Sequence, residues 1–327
     1  MSSTVSSSGG SKGQGDEPRR TLLDPDLVDR LRGLSLRPRR RAQGAVGGPH
    51  RSSARGAGVE FVEHEEYSPG SDLRRVDWRA FGRLDRFHLK RFEERTERTT
   101  LLAVDSSRSM AYRGSRAPCA KIDQAARIAA AFAHVVAAQG DPVGLLFFPG
   151  ERSGGRAKEK ADAAGSLLAP SARPGHLHEV LRRLQTVDAA GPATDLQSAA
   201  QRAGAAAARR GLVVLVSDLQ DFSADPRQIL AWLRRRHEVI VLAVGDPDEE
   251  DLPWEGPVVA EALEGAQRET VDPDALRAAF REEVERFRAA WRSAATDSGA
   301  DLRFVRTDEP MLDLVGAIFS PGTGRLV

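Results

Sequence analysis

One cysteine, Cys119, is all the thiol this chain of 327 residues contains. No intrachain disulfide can form, and a reducing compartment suits the composition. Long apolar runs are missing as well: none approaches the ~18–20 residues that a membrane-spanning helix needs. The first residues are rich in Ser and Gly without an apolar core, so they do not read as a secretory signal. A cytoplasmic protein with no membrane partner is expected. An excess of one charge is also lacking. The formal net charge is +1, so no global field draws the chain to nucleic acid. Lysine is scarce, standing only at positions 12, 90, 121, 158 and 160, although Lys and Arg together number 48. With the many alanines, that arginine bias reflects a GC-rich bacterial genome and not a function. Three catalytic signatures are absent: the G-x-S-x-G elbow, the Walker A lysine loop and H-E-x-x-H.

What is present falls into four stretches. Residues 1–20 are polar and Gly/Ser-rich and are predicted to be a disordered tail; 321–327 form a second tail. Residues 21–98 make an N-terminal segment. Leu27, Leu31 and Leu34 stand at helical spacing and predict a short helix within Leu22–Leu36. The basic run Arg37–Arg41, broken by Pro38, reads as a solvated linker because no aromatic residue is interleaved. Val59–Val62 predicts a strand, Tyr67–Asp72 a turn, Asp77–Arg83 a short helix capped by Asp77, and Phe87–Phe92 a strand directed toward the central sheet.

From Thr99 strands alternate with helices, the pattern of a parallel sheet covered by helices. Strands are predicted at Thr100–Val104, Val143–Phe148, Leu212–Val216, Val239–Val244 and Leu302–Val305, with Leu167-Leu168 as a short edge strand. Helices are predicted over Cys119–Gln139, around Leu177–Leu184, over Asp195–Arg209, at Ile229–Leu233 and over Met311–Phe319. A hairpin-like stretch covers Val258–Val271, and a long helix follows Asp272-Pro273 with Leu276, Phe280, Val284, Phe287 and Trp291 as its buried stripe. The expected fold is a three-layer α/β domain over 99–320 with a mostly parallel central sheet, and the small β-containing segment of 21–98 packed against it.

The chemistry concentrates in Asp105-Ser106-Ser107-Arg108-Ser109-Met110. The apolar run Leu101–Val104 ends there, so a carboxylate and two hydroxyls stand at the C-terminal tip of a buried strand, the edge where open α/β sheets bind ligands. Oxygen donors of this kind suit Mg²⁺ better than Zn²⁺ or Cu²⁺. Thr194 precedes a helix, and Asp218 follows the apolar strand Leu212–Val216. Adjacent strands at the switch point would bring Asp105 and Asp218 together. Five such donors carry only two formal charges, so Mg²⁺, or Mn²⁺ in its place, would keep water ligands and could accept a carboxylate from outside. His176 and His178, two apart at a helix start, point to different faces and read as surface residues rather than ligands. Cys119 opens a helix, which can lower a thiol pKa, but its Ala-rich setting reads as packing. Asp246, Asp248 and Glu249 follow another strand and read as an exposed acidic loop on the same rim.

Asp105-x-Ser107-x-Ser109 with Thr194 and Asp218 resembles the metal-ion-dependent adhesion site of von Willebrand factor A domains. The resemblance implies that Ser107 and Ser109 ligate Mg²⁺ directly, that Thr194, Asp105 and Asp218 bind directly or through water, and that an acidic residue of a partner completes the shell. It also implies a three-layer, Rossmann-like fold of von Willebrand factor A type. Upstream, Gly56-x-Gly58-x-Glu60-Phe61, Tyr67-x-Pro69-Gly70-x-Asp72, Arg75-x-Asp77-Trp78 and Lys90-x-x-Glu93, with the later Asp246-Pro247-x-Glu249-x-x-Leu252-Pro253, resemble family fifty-eight of the bacterial domains of unknown function. Ser71 departs from that pattern, in which a second Asp is usual. Members of that family are typically encoded beside MoxR-type AAA+ ATPases, which implies such an ATPase as partner in chaperone-like assembly or maturation of other proteins. The functional expectation is thus a non-enzymatic, Mg²⁺-dependent protein-binding module. The rival is a metal-dependent hydrolase or phosphatase using Asp105. That chemistry wants another Asp two residues on, where Ser107 stands, and a base nearby. Nucleic acid is not expected as a partner.

Overall fold

A computed structural model describes residues 20–36, 58–66, 81, 88–95, 98–148, 166–191, 193–207, 210–221, 223–261 and 268–319. The readings made for both tails, for Arg37–Arg41, for the Tyr67–Asp72 turn and for the helix after Asp77 lie outside those residues, apart from Phe81.

Apolar runs with almost no polar residue form the central strands, as burial on both faces requires. β3 (Thr100–Asp105) and β6 (Leu212–Ser217) are buried along their whole length. They pair in parallel, Val104 opposite Val216. With β4 (Val143–Phe148), β5 (Leu167–Ser171), β7 (Glu238–Gly245) and β10 (Asp301–Arg306) they make one six-stranded sheet in the order β10-β7-β6-β3-β4-β5. Only β5, the edge strand, runs antiparallel to its neighbour. The chain leaves β3 for β4 on one side and later returns to β6 on the other. The topological switch point therefore falls between β3 and β6.

Alternate residues of each strand feed two cores. Leu102 and Val104 join one with α1 (Pro25–Leu31), α2 (Lys121–Ala138), α3 (His176–Thr186) and α8 (Met311–Phe319). Leu101 and Ala103 join the other with α4 (Leu196–Ala206), α5 (Pro226–Arg234) and α7 (Pro273–Ser298). The result is the three-layer α/β arrangement with a mostly parallel sheet. The short α6 (Asp248–Asp251) follows β7, and β8 (Val258–Glu261) pairs with β9 (Arg268–Val271) as an antiparallel hairpin. β1 (Gly58–Glu66) pairs antiparallel with β2 (His88–Arg95) in a sheet of their own, so the strand predicted to run toward the central sheet does not join it. Among the described residues no helix is long and apolar enough to cross a membrane.

Local chemistry sets the helix ends. Asp195 caps α4 by accepting the Ser198 N–H at 2.8 Å, and Asp272 caps α7 with Pro273 in its first turn. Gly140 takes φ 77° just after α2 and closes the helix in a left-handed turn. α2 begins at Lys121, two residues later than predicted, so Cys119 lies outside it.

Two elements differ from the sequence reading. The helix assigned to the N-terminal segment belongs with the sheet: Leu22, Leu27 and Leu31 are buried in the first core, so residues 20–36 fall in the same compact unit as the sheet. The stripe predicted to be buried along α7 is only partly so. Leu276 is 45% exposed while Trp291 is 2% exposed. A helix of 26 residues spans about 39 Å, whereas strands of six residues span about 20 Å. A helix of that length cannot lie over the sheet along its whole extent.

Candidate metal centre

Asp105 is the last residue of β3 and has no exposed surface. Its Oδ1 accepts the Ser107 N–H at 2.9 Å. Its Oδ2 accepts the Ser217 hydroxyl at 2.5 Å and the Thr194 hydroxyl at 3.1 Å. Burial, then the negative charge of Asp218, push the Asp105 carboxyl up to about 7, against the pull of the hydrogen bonds from Ser217 and Ser107. Among the described residues no ammonium or guanidinium pairs with it. Ser107 precedes a short 3₁₀ turn (Arg108–Ala111) and Ser109 lies within it; both are buried, and their hydroxyls are hydrogen-bonded to each other at 2.9 Å.

Thr194 comes to Asp105 because its loop is tied to the serine loop. Ser107 and Gly191 form an isolated parallel bridge, and Gly191 N–H donates to the Ser106 carbonyl at 2.9 Å. Asp218 sits one residue beyond β6. Leu219, next to it, takes the left-handed φ of 61°, a conformation that costs a non-glycine residue about 1 kcal/mol. The Ser217 hydroxyl accepts the Leu219 N–H at 2.9 Å, and the Leu219 side chain is fully buried. Together they hold the turn that aims Asp218.

All five predicted residues are thus gathered at the C-terminal edge of β3 and β6. Three more belong with them. Ser217 holds Asp105 directly. Lys121, the first residue of α2, is fully buried and donates to Asp218 Oδ2 at 2.8 Å and to Glu249 Oε1 at 2.7 Å. Burial pulls the Lys121 ammonium down, but the charges of Asp218 and Glu249 outweigh it and hold its pKa above the usual lysine value. Glu249 also accepts the Gln220 side-chain amide at 3.1 Å and the Asp246 N–H at 3.0 Å. The one available signal for Lys121 was its rarity: a lysine in an arginine-rich chain, at the head of an alanine-rich helix.

The acidic stretch after β7 is not the exposed loop predicted. Asp246 and Asp248 have no exposed surface. Asp246 accepts the Gly114 N–H at 2.9 Å, and Asp248 accepts the Ser115 N–H at 2.6 Å and the Arg116 guanidinium at 2.5 Å. These carboxylates clamp the 112–120 loop, and backbone donors from a segment over 130 residues away make their burial tolerable. His178 is exposed as predicted, whereas His176 is half-buried with Nε2 2.8 Å from the Val143 carbonyl. The Cys119 thiol is pushed up by burial and by Asp123, the direction of a packed residue rather than a nucleophile.

The donor set fits a hard divalent cation. The Ser107 and Ser109 hydroxyls are hydrogen-bonded to each other at 2.9 Å, a separation that two neighbouring ligands of an octahedral Mg²⁺, each about 2.0–2.1 Å from the ion, would also have. Asp105 is a buried carboxylate lacking a cationic partner among the described residues, which low dielectric penalises. Among the described residues no three carboxylate, imidazole or thiolate side chains are placed to hold a metal ion together, so an ion here would need hydroxyls and water besides the Asp105 and Asp218 carboxylates.

Compared with known proteins, residues 63–290 match the family described as "Protein of unknown function DUF58". The chain is 33% identical over 315 residues to the uncharacterized proteins Rv1480 of Mycobacterium tuberculosis and Mb1516 of Mycobacterium bovis, with 94% of each chain covered. Among solved structures it is similar to BatB from Bacteroides thetaiotaomicron (16% identity, TM-score 0.44, 68% of this chain and 95% of that one). It is also similar to an aerotolerance-related membrane protein from Bacteroides fragilis (16%, 0.41, 68% and 96%) and to a von Willebrand factor type A protein from Catenulispora acidiphila (18%, 0.31, 59% and 42%).

Proposed function

This chain belongs to the DUF58 family of proteins of unknown function, and we propose that it is a non-enzymatic binding module which captures an acidic side chain of a partner protein through Mg²⁺ held by Asp105, Ser107, Ser109, Thr194 and Asp218. One observation carries the reading: a fully buried carboxylate, Asp105, which has no cationic partner among the described residues, stands beside two mutually hydrogen-bonded hydroxyls whose separation also suits neighbouring ligands of one ion. A bound Mg²⁺ or Mn²⁺ supplies an open coordination position that an incoming carboxylate can fill. The chain's own residues do the rest. Ser107 and Ser109 offer their oxygens, Thr194 and Ser217 orient Asp105, and Asp218 adds charge from the adjacent strand.

The hydrogen-bond partners of Asp105 are hydroxyls and a backbone N–H. None is a base that could activate water, which favours binding over hydrolysis. The family resemblance in the sequence supports a MoxR-type AAA+ ATPase as the partner, in assembly or maturation of other proteins.

The test is binding of a MoxR-type ATPase from the same genome to the full chain, in Mg²⁺ and in chelator. Binding that disappears with chelator and in Ser109→Ala is the expected result. Binding indifferent to both sinks the metal-bridged reading. Turnover of a generic phosphate ester by the wild-type chain, lost in Asp105→Ala, replaces the binding module with a hydrolase.

A further inference from the structure

We propose that Lys121 is a built-in counter-cation of the candidate metal centre, weakening the free protein's hold on a divalent ion so that retention of the ion depends on an acidic partner. The inference rests on the ion-site reading above and deepens it by assigning the residue that sets the site's affinity.

Lys121 stands where a structural account alone does not put it. Its side chain has no exposed surface, and buried lysines are rare unless paired. It opens α2, where the helix dipole disfavours a cation. Elsewhere the chain uses arginine almost throughout. A guanidinium is a broad planar fork, whereas an ammonium is a compact point charge that fits between two carboxylates. Here it lies 2.8 Å from Asp218 Oδ2 and 2.7 Å from Glu249 Oε1, with the Tyr112 ring 5.8 Å away. Asp218 is thereby held at both oxygens, since its Oδ1 accepts the Gln220 N–H at 3.2 Å. Its position does not wait for an ion.

Charge follows from the same contacts. Asp105, Asp218 and Glu249, when ionised, set three negative charges against the one positive charge of Lys121. The net is two negative charges, equal and opposite to one divalent cation. A site without the lysine would carry one more negative charge, and ligand charge count is a main determinant of how tightly a divalent ion is held. With Lys121 in place, a divalent ion leaves the site neutral, so a partner's carboxylate approaching the ion meets no excess negative charge; without the lysine the loaded site would stay negative and repel it. Ion and partner then hold each other, and the free protein releases both.

The experiment is calorimetric titration of Mn²⁺ into the wild-type full chain, Lys121→Met and Glu249→Gln, with folding of each checked by circular dichroism. Lys121→Met should bind Mn²⁺ about tenfold or more tightly than wild type, and Glu249→Gln more weakly than wild type, because the two changes move local charge in opposite directions. A merely structural lysine would not produce opposite shifts in affinity. If Lys121→Met fails to fold, Glu249→Gln carries the test, and unchanged or tighter binding by it overturns the proposal. Saturable binding equal in all three proteins removes the role of Lys121 and leaves the ion site standing. No saturable binding by any of them removes the ion site itself, and with it the inference.

Discussion

Ser217 carries more of the candidate centre than its place at the end of a strand announces. Its hydroxyl donates to Asp105 at 2.5 Å and accepts the Leu219 N–H at 2.9 Å. Ser217→Ala leaves both groups short of a partner inside the protein. The expected cost is about 1–3 kcal/mol, read as a lower urea midpoint. Thr194→Val keeps shape and removes one donor to Asp105. It should cost about 1 kcal/mol of stability while Mn²⁺ affinity falls clearly, and an unchanged affinity would take Thr194 out of the site. Asp248 supplies a pH signature. Burial pushes its pKa up, but hydrogen bonds from Arg116 and Ser115 outweigh that and hold it below its ordinary 3.8. A carboxyl depressed on folding contributes stability that is present above its unfolded pKa and lost as pH falls through the folded value. Wild-type stability should therefore drop more steeply below about pH 4 than that of Asp248→Asn. Parallel profiles of urea midpoint against pH would remove Asp248 as the source.

At the scale of elements, two glycines mark close approaches that propensity alone misjudges. Gly204 lies within α4, where exchange of Gly for Ala ordinarily gains about 1 kcal/mol. A Cβ there would run into the Trp232 ring of α5, so Gly204→Ala should destabilise the protein instead, by about 1–3 kcal/mol, measured by thermal or urea unfolding. At Gly144 of β4 a Cβ would meet Pro170 of β5, including its backbone nitrogen at 2.8 Å. Backbone cannot rotate away as a side chain can. Strand β5 keeps its antiparallel place because its neighbour has no side chain there. The late burial of α7 belongs to this scale too, since apolar periodicity reports a face but not how far the sheet beneath it extends.

At the scale of the whole molecule, the α/β unit is completed by a helix that precedes it in sequence by some seventy residues. Leu27 is fully buried against the core that α2 and α8 share. Leu27→Ala should cost about 2–5 kcal/mol and lower the unfolding midpoint of the sheet unit itself. A midpoint shift confined to a separate minor transition would contradict that placement. The same scale explains the charge economy of the centre. Lys121, Asp218 and Glu249 come from the head of α2, the end of β6 and α6, and only the closed fold brings one ammonium and two carboxylates together.

The sequence by itself determined the strands, most helices and the five oxygen-bearing residues of the centre. Burial and periodicity are local properties, and a hydroxyl-rich turn after an apolar run is visible within a few residues. Only the tertiary structure decided what surrounds those five. Ser217 meets Asp105 across 112 residues, and Lys121 meets Asp218 across 97 and Glu249 across 128. Asp246 and Asp248 looked like solvated acids because their backbone donors, Gly114 and Ser115, come from another loop. A charged group is tolerated inside a protein only with its partners in place, and which partners those are is settled by strand order, which no local pattern records.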